Sequence, residues 1–441
     1  MHESMPIKVY GEGKGSMQMR QIALWVTGGL LSIIGLLLGT VAYLSGRDPF
    51  VHAAVLRYWS YQHQLVSGST NISAHIPVLS LPHTALHIAP LQPTVQYSAL
   101  TATSAVSGPA VTATAAKKTT LIRYTGAVQH IFFHPLLAYP QLAFHDGSEA
   151  RGFNDWFITD GEFTRILAAL YKRHFILISL SMMYRLYTVH GHTSIEPRAL
   201  YLPKGKKPLI ISVDDMNYYH YMVGHGTVSR LILDAQGHIA SLAINPQGKT
   251  VLSHTQALVP ILNAFVRSHP DFSFHGVKGM INLTGYEGVL GYRTNRLQSP
   301  DYKQTRVRAM RVIDHLLATG WTFASHGWGH LDAHAISYAT FTEDTLRWER
   351  EVGSLIGPTS VYVYPFGSRV TTGGAKFRFL VSQGFHIFCS VGPTTYIQWT
   401  PQVLMMDRRH IDGLALATEQ QDLVDLFNPW HVISKQRPKT Y

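Results

Sequence analysis

PLIISVDDMNYY, residues 208–219, is an apolar run of strand length that stops on two adjacent carboxylates, Asp214 and Asp215. An apolar segment of this length, opened by Pro208, reads as a buried strand of a parallel sheet. Two neighbouring carboxylates at its end repel one another, and such a placement is costly unless a cation is nearby. In α/β folds the reactive side chains gather just beyond the C-terminal ends of strands, and two other strand ends carry such residues. WTFASHGWGH (321–330) ends its apolar run at Ser325 and continues into His326 and His330. SVYVYPFG (360–367) ends in the constrained turn Pro365-Phe366-Gly367.

Around these three segments the chain alternates strand and helix patterns from about residue 119. The stretch from Thr159 is predicted to be a helix: Thr159 and Glu162 form a capping box, and Phe163, Ile166, Leu167 and Leu170 recur on one face. In YKQTRVRAMRVIDHLLATG (302–320), Val307, Met310, Ile313 and Leu317 are expected to form the buried face, with Gly320 closing the helix. LATEQQDLVDLF (416–427) is expected to be a final helix. The repeated order implies a parallel sheet of six or seven strands, an α/β fold of barrel type.

Composition narrows the function. The chain has 441 residues, 46% hydrophobic and only 14% charged, with 37 basic and 26 acidic residues and a net charge of +11. The excess suits an anionic surface, but no basic stretch is interleaved with aromatics, so nucleic acid is not an expected partner. The one cysteine, Cys389, sits in an apolar run and reads as a small buried hydrophobe. Residues 22–44 carry no charge and, at about 1.5 Å per residue, would span roughly 34 Å as a helix, enough to cross a bilayer. The expected organisation is therefore a cytoplasmic tail (1–21), a single-pass membrane anchor (22–44), a juxtamembrane segment and flexible Ser/Thr/Ala/Pro-rich stalk (45–118), and a catalytic domain (119–435). The charges flanking 22–44 barely discriminate its orientation; the resemblance set out below implies a bacterial cell membrane with that domain outside.

The chemistry follows from residue type. Two imidazoles and one carboxylate give three protein ligands to a divalent metal and leave a position open for water. The second carboxylate is then free to act as a base. The histidine pair alone is weak evidence in a chain with 25 histidines; the Asp pair is what raises it.

SVDDMNYY, SHGWGH and YPFG, in this order, resemble the motifs of the polysaccharide deacetylases with a NodB homology domain, carbohydrate esterase family four. VDDMNYYHYM and TGYEGVLGYRT resemble a membrane-anchored bacterial branch of it. The resemblance covers roughly residues 120–415 and implies a distorted (β/α) barrel. It implies Asp214 as catalytic base; Asp215, His326 and His330 as ligands of a divalent metal, usually zinc; and the backbone N–H of Phe366 as an oxyanion donor. Tyr364, Pro365 and Gly367 would shape the substrate turn. The implied reaction removes N-acetyl groups from a hexosamine-containing cell-envelope or extracellular polysaccharide. O-acetyl ester hydrolysis and non-catalytic glycan binding are the alternatives.

The sequence departs from the family at four points. Met216 replaces a motif glycine, and Gly327 replaces a small hydroxyl residue. Val363 stands where the family has an arginine that pairs with the base; Arg409 and Arg293 are the candidate substitutes. No late Leu-x-His motif supplies the general acid, for which His410 is the first candidate and His431 a weaker one. Tyr286, Tyr292 and Trp328 are candidates for stacking on sugar rings.

Overall fold

In the computed structural model, which describes residues 120–145 and 147–438, seven parallel strands close into a barrel. They are β1 (Gln129–Phe133), β3 (Lys207–Asp214), β4 (Met280–Leu283), β5 (Thr322–Ser325), β6 (Val361–Val363), β7 (Ile387–Val391) and β8 (Leu404–His410). The short β2 (Phe175–Leu177) pairs with the start of β3, before β4 takes over that edge. Closure depends on β1: it lies between β8 and β3, with His410 opposite Phe132 and Phe133 opposite Val213.

Strand residues alternate between the barrel interior and the surrounding helices. Val128, Ile210, Met280, Ala324, Val361, Ile387, Leu404 and Met406 form the inner core. Ile131, Phe133, Leu209, Ile211, Val213 and Phe323 face outward into a second, larger core. The inner residues grow polar toward the C-terminal mouth, where His130, Ser212, Asp214, Asn282 and Arg408 are all buried. Cys389 is buried and free in the inner core.

The helices obey their sequence signals unevenly. The helix Asp160–Lys172 carries the expected capping box, with Thr159 and Glu162 side chains each bonded to the other's backbone. In the helix Leu258–Ser268, Pro260 falls within the first turn, where its missing N–H costs nothing. The helix Tyr302–Ala318 is rotated from expectation: Thr305, Ala309, Val312, Ile313 and Leu316 are buried, while Val307 and Leu317 are exposed. The small side chains of Thr305 and Ala309 let this helix approach the core closely, and the bulkier Val307 and Leu317 are turned away. The expected final helix divides into Gly413–Thr418 and a single tight turn at Gln420–Leu423. The fold also contains a three-stranded antiparallel sheet over Val228–Leu233, Ile239–Ile244 and Thr250–Ser253 and a hairpin of Tyr184–Val189 with His192–Pro197, neither anticipated from sequence.

The expected single-pass cell-membrane location is corrected here. Among the described residues no helix is long and apolar enough to cross a membrane. The stretch 22–44 that prompted the expectation, and the tail and stalk around it, lie outside the described residues.

Candidate functional site

A pocket at the barrel mouth brings together the ends of six strands. It is lined by Asp214 and Asp215 after β3, His326 and His330 after β5, Tyr364, Phe366 and Gly367 after β6, and His134 after β1, with Arg408 from β8 and Val391 from β7. Aromatic side chains of Trp156, Phe157, Tyr219, Tyr221 and Tyr286 wall it.

Asp215, His326 and His330 each offer a ligand atom, and the three atoms lie within 4.8 Å of one another. Their chemistry fits a divalent cation. Nδ1 of His326 donates to the carbonyl of Val363 at 2.9 Å, which leaves Nε2 as its metal-facing atom. Burial pushes the His330 imidazole down to about 4, so it is the neutral ligand form at neutral pH. Its Nε2 lies 3.8 Å from Oδ2 of Asp215.

Asp214 sits on the other side of this group, its Oδ2 3.7 Å from His326 Nε2. Burial alone would raise its pKa, but Arg408 and His326 hold it well below the usual carboxylate range. Arg408 grips it with two bonds, Nη1 to Oδ1 at 2.7 Å and Nη2 to Oδ2 at 2.9 Å. The Asn282 amide donates to Oδ1 at 2.6 Å. Arg408 also reaches Ser212, which bonds Nε2 of His130, and lies over the ring of Phe132. Burial and the neighbouring Arg408 keep His130 well below its ordinary value, hence neutral. Asn282 is wholly buried in this network.

The backbone is bent to make the site. Asp215, Tyr218, His330 and Phe366 all adopt positive φ, between 51° and 58°, a conformation that costs energy for non-glycine residues and clusters where structure serves function. The loop after β3 is pinned by Asn217, whose amide donates to the Thr284 carbonyl at 2.8 Å, and by Arg293, which donates to the Tyr218 carbonyl at 2.7 Å. This explains why DDMNYY and TGYEGVLGYRT belong together. The loop after β5 is held by Asp344, which accepts from the backbone N–H groups of Trp328 and Gly329. Gly327 turns there at φ 67°, and a Cβ on it would press Asp344 Oδ2 at 3.0 Å, which accounts for glycine in place of a hydroxyl residue.

Several expected residues lie elsewhere. Arg409 points away from the pocket and pairs with Asp425, as its alternation with Arg408 requires. Arg293 braces a loop and does not touch Asp214. His410 lies outside the pocket lining, bonded to Asp412 and Glu419 at 2.7 Å each. Burial opposes its charge, but these two carboxylates raise its pKa well above the ordinary value, so it is a fixed cation rather than a mobile acid. His431 borders a separate cavity beside Thr159 and Asp160. Trp328 is outside the lining, its indole N–H on Glu351 and Arg347 stacked over its ring. Tyr292 is a core residue under Arg230. Pro365 is buried behind Phe366.

Arg408 and His134, both in the pocket, are absent from the candidates read from sequence, as are Trp156, Tyr219 and Tyr221. Arg408 was one position from a chosen candidate; the even-numbered apolar side chains Leu404 and Met406, both inside the barrel, were the available signal. His134 follows β1 in FFHPLL, a segment with no recognisable site motif. Its Nδ1 bonds the Trp156 carbonyl at 3.0 Å, so that nitrogen carries a proton and Nε2 is the atom available for transfer. It acts electrostatically on both Asp214 and His330. The segment bearing Trp156 is itself clamped by Arg437, which donates to the Asn154 carbonyl at 2.7 Å and holds Glu162 with two bonds.

The mouth of the closed (β/α) barrel thus gathers in one pocket the Asp pair, the two histidines and the Pro-Phe-Gly turn that carry the motif resemblance. Among solved structures, the chain is similar to the deacetylase PplD of Streptococcus pyogenes, solved with acetate (11% identity, 70% of this chain and 99% of that chain, TM-score 0.38). It is similar to a de-N-acetylase from Aggregatibacter actinomycetemcomitans (11% identity, 68% and 100%, TM-score 0.39). It is also similar to BA0330 of Bacillus anthracis (15% identity, TM-score 0.37), where it spans 65% of that chain and 65% of its own length. No family profile and no curated protein matches the chain.

Proposed function

We propose that the protein is a metal-dependent deacetylase that hydrolyses N-acetyl groups of a hexosamine-containing polysaccharide. The observation that carries this reading is the meeting of Asp215, His326 and His330 donor atoms beside an ionised, arginine-clamped Asp214 in one aromatic-walled pocket.

Asp215, His326 and His330 would hold the metal, with zinc the ion that two imidazoles and one carboxylate suit best. When bound, a divalent metal supplies polarisation of the acetyl carbonyl and acidification of a water. Asp214, ionised and fixed by Arg408 and Asn282, accepts the proton of the attacking water. The Phe366 backbone N–H stabilises the developing oxyanion. His134, held at Nδ1 by the Trp156 carbonyl, delivers a proton from Nε2 to the departing amine. Tyr221, Tyr286 and Trp156 offer flat faces to pyranose rings.

The test is acetate release from N-acetylglucosamine oligomers and polymer by the full chain, with metal analysis on the same preparation. Turnover that requires metal and disappears in Asp214→Asn, with metal retained, is the expected result. Full activity in that variant, or a wild-type protein without stoichiometric metal, would overturn the reading.

A further inference from the structure

Tyr219 occupies a position that no catalytic step above uses. It is 2% exposed, four residues after Asp215, on the far side of the turn that positive φ at Tyr218 creates. Its hydroxyl lies 2.6 Å from Oδ1 of Asp215 and 2.7 Å from Oγ1 of Thr284, which is fully buried at the end of β4. An ionised carboxylate only accepts, and a phenol has one proton. The Tyr219 proton must therefore point at Asp215, and the Thr284 hydroxyl must point at Tyr219. The ring is packed in a fixed plane, stacked on Tyr286 at 4.8 Å and on Tyr221 at 5.9 Å.

We propose that the ordered chain Thr284–Tyr219–Asp215 is a positioning relay that dedicates one carboxylate oxygen of Asp215 to the protein and presents the other to a divalent cation. The inference rests on the metal reading above. With Oδ1 occupied by the phenol, Oδ2, the oxygen nearer His330 Nε2, is the one left for a single-oxygen bond. Without the hydroxyl, the carboxylate is free to turn about its last bond or to offer both oxygens. Partners of this kind around ligating groups set metal affinity as well as geometry.

The experiment is a Zn2+ titration of the metal-free full chain against a competing chelator, with thermal unfolding of the same metal-free samples as a check on the fold. Tyr219→Phe keeps the ring and its stacking, and should weaken Zn2+ binding by about 10–100-fold with the metal-free protein still folded. Thr284→Val should weaken it less. The double variant should bind no more weakly than Tyr219→Phe alone, because Thr284 acts only through the phenol. If Tyr219→Phe unfolds, Thr284→Val carries the test, and unaltered Zn2+ affinity in it overturns the proposal. Zn2+ affinity of Tyr219→Phe indistinguishable from wild type, or strictly additive losses in the double variant, overturns the relay while leaving the metal site standing. A wild-type chain that binds no Zn2+ overturns both.

Discussion

Asp214 and Asp215 are adjacent in the chain, yet the two sides of the pocket treat them in opposite ways. The Asp214 side, built from β1, β4 and β8, is cationic: a buried arginine makes two bonds to the carboxylate and an amide adds a third. The Asp215 side is built from neutral phenols, and burial together with the nearby Asp215 charge raises the pKa of Tyr219, Tyr221 and Tyr286 well above the ordinary value. A carboxylate beside a fixed cation is held in its ionised form, the only form that can accept a proton. A carboxylate beside neutral donors keeps its charge available to an incoming ion. On the proposed reading, the difference teaches that one dipeptide can supply both a base and a ligand because the surroundings, not the residue type, assign the roles.

The comparison breaks most sharply on removing the carboxylates themselves. Asp215→Ala is expected to lose bound metal and turnover together, whereas Asp214→Asn should keep its metal and lose about 10²–10⁴-fold in kcat; elemental analysis and acetate release distinguish them, and the reverse pattern would exchange the two assignments. Arg408→Met comes next. It leaves a buried charge without its partner, so stability should fall by about 3–5 kcal/mol, measured by urea unfolding. The acid limb of the rate profile should move up by about 1–3 pH units, the usual effect of one close cation on a carboxylate.

His134→Gln sharpens the asymmetry from the third side of the pocket, with kcat lowered by about 10²-fold or more and metal content unchanged. Unchanged kcat would remove it from the reaction. Stability against pH gives a further contrast. Asp214 titrates lower in the folded than in the unfolded chain, so its contribution is present above the ordinary carboxylate value of about 3.9 and disappears as pH falls through the folded value. His410 is shifted the other way. Its contribution is full below about pH 6.5 and disappears as pH rises through its raised folded value. His410→Gln should therefore flatten the alkaline fall of the unfolding curve. It should have the smallest effect on turnover, since His410 lies outside the pocket.

How far the chain could be read depended on whether one residue or many carried the signal. The alternation of strands and helices, the capping box at Thr159 and the three strand endings are local patterns, and each stands in the structure where the sequence put it. The interior of the barrel depends on parity, which periodicity reveals only when the starting face is known. Arg408 and Arg409 are chemically equivalent, and a one-residue shift changes which of them enters the barrel. His134 was hidden for a different reason. It follows the first barrel strand, before the Asp pair, whereas the family resemblance directs attention to the end of the chain. In the helix Tyr302–Ala318 the buried face is rotated: Val312, Ile313 and Leu316 are buried together with the small Thr305 and Ala309, while Val307 and Leu317 are exposed. Arg437 is separated by hundreds of residues from the segment that it clamps, a long-range contact that no local pattern encodes.

The position of β1 between β8 and β3 has a practical consequence for anyone dividing the chain. A fragment begun just before PLIISVDD would contain all three recognisable motifs and still be unable to form a ring. It would expose two bare sheet edges lined with unsatisfied N–H and C=O groups, the arrangement that templates edge-to-edge aggregation. Expression trials should therefore start upstream of Gln129, and a poorly behaved shorter fragment would reflect a missing stave rather than a faulty active site.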